Sequence, residues 1–378
     1  MPAVWVGIAV FLSIQAAIWT VRLLYRGPIL RKLDVEMVFS VAYATEGDTV
    51  QLSTTLTNEK WLPMPWVAVK FRVSRNLLFA DATAHQISDE YYRQDLYHIL
   101  MFQRVTRRFS FVCGKRGFYP IQGLDISGWD MLMEYKSARF LQTRAALTVY
   151  PRALETQELD AICTSVYGQL QSFLPMHPDP FSFRGLRAYT ENDPIKAINF
   201  KASAKGAQHP GQELMVNLWE FTNNRRVVLM LNFEKHNLWH ADAQDEYNIK
   251  LAVGFAARLA EAHVPLRFIT NGIGAEEGTD LPEGRGFTHH ENILDVLAHV
   301  DIPRGVSESF SALLTNITEE DSAEYIIIST YHGADLEEAY DRLLAQGRRI
   351  CWVLPCHQGI ILDTQNMRES LRSKVVLV

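Results

Sequence analysis

The sequence predicts a multidomain membrane protein: an N-terminal transmembrane helix, an all-β sandwich, and an α/β doubly wound domain. Three observations carry this expectation: an uncharged apolar stretch from Ala3 to Val21, period-two stretches between residues 34 and 150, and apolar runs alternating with helical stripes after residue 225. The chain has 378 residues, 48% hydrophobic and 21% charged, which excludes a disordered or fibrous protein and allows two or three cores.

No ionisable side chain lies between Ala3 and Val21. At about 1.5 Å per residue, such a helix is close to the length needed to cross a hydrocarbon layer of roughly 30 Å. The alternatives are a cleaved signal peptide and a buried core helix. A signal peptide starts with a basic region and ends at small residues, whereas no Lys or Arg precedes Arg22 here. The spanning segment is therefore placed at residues 1–25. Arg22, Arg26, Arg31 and Lys32 follow the apolar run, so the positive-inside rule puts the N-terminus outside and the soluble domains in the cytoplasm, with the chain in the cell membrane as a single-pass protein. Those four cations are unopposed by acids, so of the overall charge of −6 the remaining residues 33–378 carry −10. An acidic body argues against a nucleic-acid partner. Cys113, Cys163, Cys351 and Cys356 form no CxxC pair, and a reducing cytoplasm predicts free thiols.

Residues 34–150 read as a β-sandwich, with a partly open barrel as the alternative. Thr49–Thr57 alternates at period two after the turn Glu46-Gly47-Asp48, and Trp66–Val73 continues the pattern after Pro63 and Pro65. Arg108–Val112 and Leu147–Tyr150 add two strands.

Residues 225–378 read as the α/β domain. Val227–Leu231 is a continuous apolar run, as in a strand covered on both faces. Tyr247, Leu251, Phe255 and Leu259 then mark an amphipathic helix. Strand-like Pro265–Ile269 comes next, and Tyr325–Ser329 and Ile350–Leu354 flank a helical stripe of Leu336, Ala339, Tyr340, Leu343 and Leu344 closed by Gly347. Right-handed crossovers favour a doubly wound sheet with ligands at its carboxyl edge. Between the two domains, 151–224 is a connecting segment without a clean period.

That connector contains Phe183-Arg184-Gly185-Leu186-Arg187-Ala188-Tyr189, then Asn192-Asp193-Pro194, Ile198-Asn199-Phe200-Lys201 and Ser203-Ala204-Lys205. The pattern resembles the signature of the domain-of-unknown-function-58 family: Arg-x-Tyr, Gly-Asp, Ile-Asn-Trp-Lys and Ser-Ala-Arg. Arg116–Pro120, Leu147–Arg152 and Glu213–Val216 extend the likeness over nearly the whole chain. Asn192, Phe200 and Lys205 stand where that family has Gly, Trp and Arg. The resemblance implies a membrane-tethered β-sandwich followed by a von Willebrand factor A-like domain, and a partner among the MoxR-class AAA+ ATPases.

A von Willebrand A domain typically holds a divalent cation with Asp-x-Ser-x-Ser, a Thr and an Asp, because hard cations take oxygen ligands. Here the matching stretch is Asn232-Phe233-Glu234-Lys235-His236, and Thr330-Tyr331-His332 comes after the later strand. No metal or cofactor is expected; weak Mg²⁺ held by Asn232, Glu234 and Thr330 is the alternative, and Lys235 opposes it.

Arg184, Arg187, Tyr189, Asp193, Lys196, Asn199, Lys201, Ser203 and Lys205 concentrate charge and polarity in one segment. They read either as an ion-paired clasp between domains, in which Arg187 pairs with Asp193 and Asp193-Pro194 starts a helical turn, or as a partner-docking surface. His289-His290-Glu291 and Cys356-His357 lack ligand spacing, and Gly284-Arg285-Gly286 lacks the Lys-Ser/Thr and helix start of a phosphate loop. No catalytic residue is identified. The expected function is a non-catalytic adaptor, with a metal-dependent binding module second and an envelope hydrolase third.

Overall fold

The computed structural model describes residues 2–25, 29–79, 85–87, 90–171, 183–189, 198–201, 203, 214–219, 226–235, 242–274, 277–316, 323–355 and 375–377. The chain forms two compact units. The first comprises Met1–Ala153, Ile273–Glu277 and Glu291–Arg304; the second comprises Leu154–Gly272, Gly278–His290 and Gly305–Val378.

The first unit opens with helix α1 (Pro2–Tyr25). Its segment Trp5–Tyr25 is long and apolar enough to cross a membrane. Trp5, Phe11, Leu12 and Trp19 are all exposed, so the buried-core-helix alternative does not hold. The helix end is docked: Tyr25 is buried in the core of the unit, and its hydroxyl donates to the Pro63 carbonyl at 2.7 Å.

Behind α1 lie two sheets packed over one core. One is four-stranded and antiparallel, in the order β1 (Leu33–Phe39), β3 (Thr49–Asn58), β8 (Arg104–Cys113), β5 (Leu77–Phe79). The other is five-stranded: β11 (Lys136–Gln142), β10 (Gly123–Trp129), β4 (Met64–Ser74), β7 (Glu90–Ile99), β6 (His85–Ile87). Strand β1 alternates strictly between buried and exposed residues, as one core-facing side requires. Leu52 and Leu56 from the first sheet meet Val69, Phe71, Leu124 and Ile126 from the second in a single cluster, so the arrangement is a sandwich. A small third sheet joins β2 (Tyr43–Thr45), β12 (Ala146–Tyr150) and β9 (Gly117–Pro120). Pro65 lies inside β4 rather than before it. The β4–β7 register is irregular between Met64 and Val67, where a missing N–H costs no ladder bond.

The second unit is built on a six-stranded sheet ordered β17 (Glu277–Gly284), β16 (Leu266–Ile273), β15 (Arg226–Leu231), β18 (Ala323–Ile328), β19 (Arg349–Leu354), β20 (Val375–Leu377). Neighbours from β16 to β20 run parallel. Every residue of β18 is buried. Val228, Met230, Tyr325, Ile327 and Trp352 pack with Phe310 and Leu314 of α5 (Phe310–Asn316) and with Leu336, Ala339 and Tyr340 of α6 (Ala334–Ala345). The alternate side chains Val227, Leu229 and Leu231 are equally buried, with α3 (Asp242–Glu261) against β15 and α2 (Thr156–Gln171) against β19. Gly347 takes φ +76°, and its N–H and that of Arg348 cap the Leu344 and Leu343 carbonyls, ending α6 in a left-handed cap.

Helix α2 falls within the segment 151–224 and packs on α3. Arg258 pairs with Asp160 at 2.6 Å, Tyr247 donates to Glu158 at 2.6 Å, and Leu159 lies over Gly254. A helix, α4 (Gly286–His299), does begin at Gly286, contrary to the expectation for Gly284-Arg285-Gly286; its next two residues are Phe287-Thr288, not the Lys-Ser/Thr of a phosphate loop.

Candidate functional site

In an open parallel sheet, ligands bind beyond the carboxyl ends of the strands where the order reverses. Here that place lies between β15 and β18. β15 delivers Asn232, Phe233 and Glu234, β16 carries Thr270 and Asn271 near its end, and β18 runs into Ser329, Thr330, Tyr331 and His332.

These residues form a closed network. Asn232 is 1% exposed. Its Oδ1 accepts from the Glu234 N–H and from Asn271 Nδ2, each at 2.9 Å, and its Nδ2 donates to Ser329 Oγ at 2.9 Å. The Ser329 hydroxyl in turn donates to the Tyr331 carbonyl at 2.9 Å, and Asn271 Oδ1 accepts the Phe233 N–H at 2.9 Å. Both lone pairs of Asn232 Oδ1 are thus engaged. A cation at this oxygen would have to displace one of those donors. Thr330 is buried, and its carbonyl lies 3.3 Å from His332 Nδ1.

Glu234 is less completely engaged. Oε1 accepts the Phe310 N–H at 3.1 Å, while Oε2 is buried and has no hydrogen-bond partner among the described residues. Burial raises its pKa above the ordinary carboxyl value, and Asp335 nearby adds to this; the Phe310 N–H and Asn232 pull the other way. Lys235 does not face this carboxyl. Its ammonium lies 3.0 Å from buried Asp245 and 3.7 Å from Asp242 at the start of α3. Among the described residues no group of three His, Cys, Asp or Glu side chains is placed to hold a metal ion.

The residues of the connecting segment singled out above fall around a two-stranded antiparallel pair, β13 (Phe183–Ala188) and β14 (Met215–Trp219). Arg184 and Arg187 lie on β13, with Arg187 opposite Val216. The Tyr189 N–H donates to the Leu214 carbonyl and the Asn199 N–H to the Met215 carbonyl. Ser203 ties this turn to β14, because its hydroxyl donates to the Asn199 carbonyl at 2.9 Å and accepts the Met215 N–H at 2.9 Å. Lys201 is exposed on the same turn. Asp193, Lys196 and Lys205 lie outside the described residues, so the Arg187–Asp193 pairing does too, as do Cys356 and His357. Of the likeness fragments in the first unit, Arg116 is a buried guanidinium whose Nη1 donates to the Leu297 and Val300 carbonyls at 2.6 and 2.9 Å.

Asn271 and Ser329 complete the network and escape sequence reasoning, since their relation to Asn232 depends on strand order. The available signal is a polar pair, Thr270-Asn271, near the end of an apolar strand. Burial pushes the described thiols up, Cys113 and Cys163 to about 11 and Cys351 to about 12, and so disfavours their thiolates. A groove of about 500 Å³ in the first unit is lined by Ser74, Arg72, Tyr92, Asp125 and Phe140 among others.

No protein-family model matches the chain, and no curated protein matches it. Solved structures similar to part of it include the CARDB domain of a Pyrococcus furiosus protein in complex with di-metal ions, at 10% identity over 31% of this chain and 93% of that one, with a TM-score of 0.20. Native Escherichia coli alpha-2-macroglobulin, from domain MG7 to the C-terminus, is 11% identical over 32% of this chain and 23% of that one, with a TM-score of 0.24. Spo0M, a sporulation control protein from Bacillus subtilis, is 10% identical over 42% of this chain and 58% of that one, with a TM-score of 0.20. The architecture described above rests on the chain's own strand pairing, and no function is taken from these likenesses.

Proposed function

We propose that the chain is a membrane-anchored, non-catalytic adaptor of the domain-of-unknown-function-58 kind. Its α/β unit is von Willebrand factor A-like and presents a surface to a cytoplasmic MoxR-class AAA+ ATPase or to that enzyme's clients. The observation that carries this reading is the closed amide network at the carboxyl edge of the parallel sheet. Where a cation-dependent binder leaves carboxylate and hydroxyl oxygens open, Asn232 is held on both its polar atoms by Glu234, Asn271 and Ser329. Such a surface recognises another polypeptide by shape and charge. Support also comes from the apolar N-terminal helix, with four cations after its apolar run.

Affinity capture of the intact chain from its native membranes, read by quantitative mass spectrometry, tests the proposal. Enrichment of an ATPase of the MoxR class is the expected result, and its absence from the captured proteins overturns the partner assignment. The metal-dependent reading has one observation in its favour, the buried Glu234 Oε2, which has no hydrogen-bond partner among the described residues. On that reading capture is lost in EDTA; on the adaptor reading it survives.

A further inference from the structure

We propose that the end of the first unit where α1 docks is seated in the headgroup layer of the bilayer, through apolar turns at Trp61, Leu100–Phe102 and Met131–Met133. The inference rests on α1 spanning the membrane.

Strand register places these turns together. Met64 faces Ile99 and Trp66 faces Trp129, so the approach to β4, the exit of β7 and the exit of β10 share one end of the sandwich. Leu33 faces Asn58, which puts the entry of β1 at that end as well. Helix α1 is fastened there: Tyr25 bonds the Pro63 carbonyl, and the Arg22 guanidinium grips Glu134 at 2.6 and 2.8 Å. Trp5–Tyr25 is 21 residues, about 31 Å of helix and so nearly one hydrocarbon thickness. Residues 22–25 therefore lie at the membrane surface, and the turns bonded to them lie at the same level.

The large apolar side chains of those turns stand outside the core cluster of the unit. Trp61, Met101, Phe102, Met131 and Met133 are between 56% and 70% exposed. The turn frames are held by other groups. Asp130 Oδ1 accepts the Glu134 and Tyr135 N–H groups, Asn58 Nδ2 donates to the Leu62 and Leu100 carbonyls, and Gln103 Oε1 accepts the Leu100 N–H. Phe102 and Met133 also adopt left-handed backbone, φ 50° and 57°, where Gly or Asn would be favoured. At the opposite end of β3 the turn is Glu46-Gly47-Asp48, and there a glycine takes the positive φ of 91°. Among the described residues of this unit, the large apolar side chains on left-handed backbone, Phe102 and Met133, both stand at the end that carries the apolar helix, and with Trp61, Met101 and Met131 they match the aromatic and aliphatic chemistry of a bilayer interface.

Spin-label accessibility in the full chain, reconstituted in vesicles of phosphatidylcholine and phosphatidylglycerol, tests this. Nitroxides are placed at Met101→Cys, Met131→Cys, Thr49→Cys at the far end and Ile14→Cys in α1, and the unsubstituted chain carried through the same labelling gives the background. The expected result is oxygen collision exceeding that of a water-soluble nickel chelate at residues 101 and 131, at a depth of about 5–10 Å, with the reverse at residue 49. If 101 and 131 match 49 while 14 lies in lipid, the seat is wrong and the spanning helix stands. If 14 is also water-accessible, both fail. Shielding of 101 and 131 from both relaxants identifies a protein covering the turns and overturns lipid as their occupant.

Discussion

Replacing Asn232 by Asp exchanges one donating nitrogen for an oxygen at a position that is 1% exposed. The retained oxygen keeps its two donors, the Glu234 N–H and Asn271 Nδ2. The new oxygen faces Ser329 Oγ, whose single proton now serves the Tyr331 carbonyl at 2.9 Å. The hydroxyl can satisfy one acceptor or the other, so one buried oxygen is left unpaired at a cost of about 1–3 kcal/mol. The carboxylate must also be buried near Glu234 or hold a proton, which brings the expected loss to roughly 3 kcal/mol. At about 2–4 °C per kcal/mol for a unit of this size, the melting temperature should fall by about 6–12 °C. Scanning calorimetry of the detergent-solubilised chain, with and without millimolar Mg²⁺, reads this directly. An unchanged transition, or a loss that Mg²⁺ restores in full, would refute the reasoning, since either would mean that the site accommodates a carboxylate as a cation ligand.

Other substitutions probe other parts of the account. The raised pKa of Glu234 means that the folded state holds this proton more tightly than the unfolded chain, so stability falls as pH rises from the ordinary value of 4.5 through the folded value; Glu234→Gln should flatten that slope and melt no lower than wild type at neutral pH, and an unaltered slope in a pH series of thermal melts would count against it. Ser203→Ala removes the hydroxyl bridging Asn199 and Met215, at a cost of about 1–2 kcal/mol, and should speed hydrogen exchange at the Met215 amide. A Cβ on Gly254 would meet Leu159 Cδ1 at 2.6 Å, so Gly254→Ala should destabilise the α2–α3 contact by about 1–3 kcal/mol, and adding Leu159→Ala should recover part of that in a double-mutant cycle.

Parts of this fold are legible from sequence for definite reasons. Parallel strands covered on both faces must be apolar throughout, so β15, β18 and β19 show as continuous runs, and α6 declares itself by its stripe and by Gly347. Helix α2 is harder to see, although Leu159, Ile162, Cys163 and Val166 do recur at helical spacing, because polar residues on either side of it dilute the period. The β10–β11 turn carries Met131, Leu132 and Met133 where turn residues usually stand, which hides the hairpin. At the candidate site, Asn232, Glu234 and Thr330 are reachable by residue type. Asn271 and Ser329 become partners of Asn232 only once β16 and β18 flank β15, a relation set by sheet order and not by distance along the chain. Lys235 shows the same limit: its place beside Glu234 in sequence suggests opposition to a cation there, whereas its ammonium is committed to Asp245.

The Asn232 network with Asn271 and Ser329 leaves no open amide oxygen for a cation. Calorimetric titration of Mg²⁺ and Mn²⁺ into the detergent-solubilised chain reads whether a cation nonetheless enters. No saturable heat in the micromolar range is expected for the native chain or for Glu234→Ala; micromolar binding to the native chain that disappears in Glu234→Ala would show a cation seated at this carboxyl.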